Sequence, residues 1–177
     1  MRSTQGIVQG RTRRALGAFI AMSFFLLLVA ACSSDSNGYK KIQITVISEP
    51  SAPNVVDNPP SGPSQGDSYA FMQQLVDEAG KPAGRIEGFS VTTDVGSRGG
   101  QDAEYRQSVT QFTLDNGTIL VSGVYFVEPR GGAPITEGVR RPVVGGTGAY
   151  LGARGQVFQT PLSEGRFKNV IEIEIPT

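Results

Sequence analysis

Few residues in this chain can carry chemistry. Its 177 residues include no histidine, no tryptophan and a single cysteine, Cys32. A lone thiol closes no internal disulfide. Without imidazole or a second thiolate, the usual ligands for zinc, copper or iron are missing. Reaction chemistry therefore falls to carboxylates, Arg, Lys, Tyr, Ser and the backbone, and neither a metal nor another cofactor is expected. The stretch Gly145-Gly146-Thr147-Gly148 has the composition of a phosphate cradle. A P-loop continues with Gly-Lys-Ser/Thr into a helix, whereas Ala149-Tyr150-Leu151-Gly152 follows here and a strand comes next. Consecutive glycines also allow a tight bend and close backbone approach at a corner, and that is their expected role.

Cys32 has a different chemistry because of what precedes it. Arg2, Arg11, Arg13 and Arg14 occur without an acidic residue, and an uncharged run of 17 residues then leads to Val29-Ala30-Ala31. The order is basic region, apolar region, small-residue cleavage site, as in an export signal. A spanning helix takes about 20 apolar residues. Val29-Ala30-Ala31-Cys32 resembles the lipobox of bacterial lipoproteins, with Val at the usual Leu position. The resemblance implies thioether linkage of Cys32 to diacylglycerol and cleavage just before it. Stable anchoring takes about two acyl chains, which that group supplies. The expected organisation is a lipoprotein signal peptide over 1–31, a lipidated cysteine and polar tether over 32–39, and a folded domain over 40–177. The expected location is the extracytoplasmic face of the cell membrane. Thr12-Arg13-Arg14 leaves twin-arginine export open beside the general route. Cleavage removes four arginines and leaves 12 Lys+Arg against 16 Asp+Glu, a net charge of −4. Nucleic acid is not an expected partner of such a chain.

The elements that must position any site read as strands. Apolar alternation recurs over 41–47, 68–76, 84–93, 105–114, 118–127, 140–144, 152–159 and 167–175, with no helical period between. Asp115-Asn116-Gly117 between two apolar runs predicts a hairpin with a type I′ turn. The segment 50–66, with five prolines, is expected to be an extended loop without a strand or helix, either functional or disordered. Eight strands at short spacing argue for one all-β domain, a sandwich or a closed barrel. Over 118–127 both faces are apolar, which predicts cover on both sides, a barrel interior on one and a subunit contact or packed loop on the other.

Arg141-Pro142-Val143-Val144-Gly145-Gly146-Thr147-Gly148-Ala149-Tyr150, followed by Ala153-Arg154-Gly155, resembles the signature of plant dirigent proteins. Gly66-Asp67-Ser68-Tyr69-Ala70-Phe71, Gly84-Arg85-Ile86-Glu87-Gly88 and the run from Asn116 to Gly123 follow the order shared by dirigent proteins and allene oxide cyclases. The resemblance covers roughly 66–175 and implies an eight-stranded antiparallel barrel that often trimerises. Where dirigent proteins carry an acid before the signature, this chain has Arg140-Arg141, with Glu137 the nearest acid. Ser90 stands where allene oxide cyclases place a barrel cysteine, and Tyr125 matches one of their tyrosines.

Two functions follow from the resemblance and the anchor. In the first, the barrel of a membrane-anchored lipoprotein binds a small apolar ligand. In the second, it is an isomerase or cyclase without metal or redox cofactor that orients a reactive small molecule. For the latter, Glu49 or Asp67 at the mouth is the expected charge stabiliser or acid/base, Tyr125 a hydrogen-bond donor and Ser90 a lining residue. Arg154, flanked by small residues, is expected to be at least partly buried and paired with a carboxylate, or to touch ligand.

Overall fold

The computed structural model of the chain describes residues 34–35, 38–98, 100–127 and 138–177. The expected signal segment, Cys32 and Glu137 lie outside the described residues. The strands are β1 (Ser34–Asp35), β2 (Tyr39–Ser48), β3 (Asn54–Val56), β4 (Ser68–Val76), β5 (Pro82–Arg98), β6 (Gln101–Leu114), β7 (Gly117–Val127), β8 (Val139–Gly146), β9 (Arg154–Pro161) and β10 (Phe167–Pro176). They form one antiparallel sheet in the order β1-β2-β10-β9-β8-β7-β6-β5-β4-β3, and a further pairing of β2 with β4 closes it. The closed ring thus contains eight strands, β2 and β4 to β10, with β1 and β3 as short additions. Helical turns among the described residues are two 3-10 pieces, Gly148–Tyr150 and Ser163–Gly165. No helix among the described residues is long and apolar enough to cross a membrane.

The closure is uneven around the ring. β2 pairs with β10 at ten positions, from Phe167↔Ser48 to Pro176↔Tyr39, but with β4 only at Ile47↔Val76 and Ser48↔Leu75. A backbone bond from Glu49 N to Gln74 O at 2.9 Å extends this seam by one step.

Three expectations about local structure are corrected. The proline-rich segment holds a strand after all: Asn54-Val55-Val56 pairs with Ala70, Tyr69 and Ser68 of β4. Those three residues lie between Pro53 and Pro59, so their N–H groups are free to join a ladder, and two are β-branched. The β6–β7 turn is not type I′. Asp115 and Asn116 form the loop and Leu114 pairs with Gly117, yet among the described non-glycine residues only Glu164 has a positive φ. Gly117 takes the unusual conformation instead, at φ +145. A Cβ there would meet the carbonyl oxygen of Thr147, and one on Gly148 (φ +61) would meet that of Asn116. The glycine-rich stretch is therefore a corner closed against a hairpin, as its composition suggested. Finally, β5 and β6 run past the ring. The last β5 partner of β4 is Val91, but β5–β6 pairing continues to Arg98↔Gln101. Residues 93–98 face water on both sides, so no apolar period marks them.

The interior is sorted along its length. Val46, Leu75, Ile86, Phe112, Ile119, Val121, Val143, Val157, Ile171 and Ile173 form one continuous apolar cluster, with Tyr150 of the glycine corner packed on it. Full burial of such a side chain stabilises by roughly 1.5–3 kcal/mol. This cluster fills one half of the ring, and polar side chains line the other.

Candidate functional site

The site is built on the period of two along β6. Phe112 belongs to the apolar cluster, and Thr110, Ser108, Arg106 and Glu104 share its face, so the strand carries a polar row up the inside of the ring. Register adds its neighbours: Ser90 of β5 pairs with Ser108 and with Tyr69 of β4, and Arg106 pairs with Thr92 of β5 and with Tyr125 of β7.

Glu104 is fully buried. One carboxylate oxygen, Oε2, accepts from Tyr69 Oη at 3.2 Å, Thr92 Oγ1 at 3.1 Å, and Arg106 Nε and Nη2 at 3.1 and 2.8 Å. The guanidinium of Arg106 also lies 3.5 Å above the Tyr69 ring. The other oxygen, Oε1, is buried and accepts from nothing among the described residues.

Arg141 of β8 forms the second polar centre, and it is 4% exposed. Its side chain reaches across β7 to β6, passing over Gly123, where a Cβ would sit 3.6 Å from Arg141 Cγ. Nη1 donates to Ser108 Oγ and Thr110 Oγ1, both at 3.1 Å, and Nη2 donates to Gln159 Oε1 at 3.3 Å. Gln159 is held in turn by Asn169 Oδ1 at 3.0 Å. Nε is buried with no partner among the described residues. No ion pair to Arg141 is formed by the described carboxylates, and burial pulls its pKa down, partly offset by the nearby Tyr125 hydroxyl. The structure thus keeps a desolvated cation on three neutral acceptors.

Of the residues expected to act, Ser90 and Tyr125 are brought together inside the ring: Tyr125 Oη donates to Ser90 Oγ at 3.2 Å, and the Tyr125 ring stands 5.4 Å from the Arg141 guanidinium. Asp67 is buried, but its carboxylate ties the proline-rich loop, accepting from Asn58 N at 2.9 Å, Ser64 N at 3.0 Å and Ser64 Oγ at 3.1 Å. Glu49 follows the inward Ser48 and so faces outward by alternation. Arg154 is on the outer face. It alternates with the inward Val157 row, pairs with Glu174 through Nε and Nη2 at 3.3 and 3.1 Å, and stacks 3.8 Å over Tyr39. The expected carboxylate partner is present and the expected burial is not, because the small flanking residues relate to strand packing rather than to cover.

Glu104, Arg106, Tyr69, Thr92 and Arg141 were not anticipated as site residues. The signal was present: Glu104, Arg106, Ser108 and Thr110 have the parity of Phe112, and Arg141 that of Val143. Among the described residues no group of three or more His, Cys, Asp or Glu side chains is placed to hold a metal ion.

The model of the allene oxide cyclase barrel-like domain matches residues 41–172. Among curated proteins, none matches this chain by sequence. Among solved structures, pyocyanin demethylase superposes with a TM-score of 0.57 at 18% identity, covering 74% of this chain and 99% of that one. The exo-specific intermolecular Diels-Alderase AbnU gives 0.55 at 16% identity over 76% and 98% of the two chains. The Diels-Alderase AbmU from Streptomyces koyangensis gives 0.54 at 20% identity over 80% and 72%. At these identities the structural likeness is one of fold. With the family match spanning most of the chain and the eight-stranded ring in place, this protein belongs to the allene oxide cyclase barrel-like family.

Proposed function

We propose that the mature chain is a lipoprotein held through Cys32 at the extracytoplasmic face of the membrane, and that its ring binds a small, largely apolar molecule. One observation carries the binding reading. Two charged side chains inside the ring, Glu104 and Arg141, each keep a buried polar atom without a partner among the described residues. Buried polar atoms are nearly always satisfied, and one left open costs about 1–3 kcal/mol, more for a charged group. Polar groups of a guest satisfy them, while the guest's apolar body meets the Phe112 and Tyr69 side of the interior. The trimer implied by the family resemblance belongs to this proposal, with Phe89 and Val124, both about half exposed on the outer face, as apolar contacts.

The experiment is native mass spectrometry of the full-length protein purified in detergent from its host. A co-purifying molecule of a few hundred daltons is expected, lost in the Glu104→Gln, Arg141→Met double variant. A ring that arrives empty in every preparation contradicts the reading.

A second reading, a cofactor-free cyclase or isomerase, is favoured by the asymmetry of Glu104. Four donor contacts on Oε2 fix the carboxylate while Oε1 is free to accept a proton or stabilise developing positive charge. Neighbours of the same fold that are named Diels-Alderases support it. An isomerase returns the bound molecule as a product of equal mass and different chromatographic retention, whereas a binding protein returns it unchanged.

A further inference from the structure

We propose that Arg141 is the recognition point for a carboxylate, so that the molecule taken up by the ring is an apolar carboxylic acid held by its head on the Nε/Nη2 edge of this guanidinium. The inference rests on the ligand-binding reading and names the class of ligand.

The chain itself shows how its arginines take carboxylates. Arg106 engages Glu104 through Nε and Nη2, and Arg154 engages Glu174 through the same two atoms, both donors meeting the one oxygen Oε2 in each pair. Two parallel N–H donors on one edge match the spacing of a carboxylate. On Arg141 that edge is the open one. Nη1, on the other side, is fixed by Ser108 and Thr110 at 3.1 Å, while among the described residues Nε has no acceptor and Nη2 meets only the Gln159 amide oxygen at 3.3 Å. An incoming carboxylate takes Nε directly and shares or displaces Gln159, which retains its bond to Asn169.

Charge points the same way. Inside the ring Glu104 is matched by Arg106, and Asp67 is occupied by the proline-rich loop. Arg141 keeps its positive charge at 4% exposure without an ion pair among the described residues. An unpaired buried charge is costly, and one carboxylate neutralises it. Neutral partners leave the cation uncompensated, so an alcohol or amide of the same shape gains less. The residues around it are suited to the rest of such a molecule: the Tyr125 ring stands 5.4 Å from the guanidinium, and the Phe112 and Val121 row continues from Thr110 toward the apolar half.

The test uses the full chain in lipid nanodiscs, with empty nanodiscs as the blank, titrated calorimetrically with phenylbutyrate, phenylbutanol and phenylbutyramide, and with octanoate against octanol. The carboxylates are expected to bind at least about tenfold more tightly than their alcohols and amide. Arg141→Met abolishes that preference, and the thermal midpoint without ligand reports whether the variant is folded. Gln159→Leu frees Nη2 and tightens carboxylate binding, a gain that misfolding cannot mimic. Equal affinity for acid and alcohol, a preference that survives Arg141→Met, or no gain in Gln159→Leu overturns the assignment while the ring remains a ligand-binding site. If none of the probes binds, the ligand-binding reading falls together with it.

Discussion

Glu104 is the residue on which most of the polar interior leans. Its carboxylate is fully buried and its partner Arg106 is 12% exposed, so solvent screens the pair little. Removing one member of a buried pair leaves the other charge uncompensated, at about 3–5 kcal/mol. Glu104→Gln is therefore expected to lower unfolding free energy in chemical denaturation by that amount, and Glu104→Gln combined with Arg106→Met to recover much of it. A loss under about 1 kcal/mol in the single variant, the range of exposed pairs, contradicts this account. Tyr150 makes a second prediction, about pH. Burial raises its pKa, with a further push from the Asp115 carboxylate, so the folded state holds the phenol proton more tightly than the unfolded chain. The stabilisation is complete below the ordinary tyrosine value near 10 and is lost as pH climbs from there through the raised value. Tyr150→Phe is expected to flatten the decline of stability above pH 10, and a decline of unchanged steepness rules out this origin. Ser90 and Tyr125 were singled out at this scale by a family resemblance, and the structure places them in hydrogen-bond contact. Glu104 and Arg141 carried only the parity of the inward rows, because a charged residue in a sequence does not announce which side chains it meets across a ring: Arg141 meets Thr110 from 31 positions away.

At the scale of elements, the strands were legible wherever one face is apolar. β4 and β10 are found close to where alternation places them, whereas the ends of β5 and β6 are not, since both strands extend beyond the ring and residues 93–98 are exposed throughout. β3 escaped because proline dominates the segment around it. No pattern in the sequence marks which strands close the ring, and the β2–β4 seam is a product of tertiary stagger alone. That seam is short beside the β5–β6 and β10–β2 ladders, and regions with few backbone bonds open at lower free energy. Hydrogen exchange is expected to show Val76 and Ser48 losing protection before Phe112 and Ile171. If the seam exchanges only with global unfolding, the ring is cooperative all the way round.

For the whole molecule, the proposed anchor makes one expectation. Cys32→Ser is expected to abolish incorporation of an alkynyl palmitate and to release the chain from membranes. Continued sedimentation with membranes in an unlabelled Cys32→Ser protein means that something other than acyl chains holds it there. The class of the fold was readable from eight periodic segments without a helix among them. The sorting of the interior into an apolar and a polar half was not, because it depends on how far each strand is staggered against the next.

The pairing of Tyr39 with Pro176, reinforced by Thr177 N to Gly38 O at 3.0 Å, sets the two ends of the ring side by side. A mechanical load applied between them does not shear β2 along β10. It parts the pair from one end, breaking a single rung at a time, so a ladder of ten paired positions yields at low force, and tension transmitted along the segment preceding β2 falls on rungs that can fail in sequence.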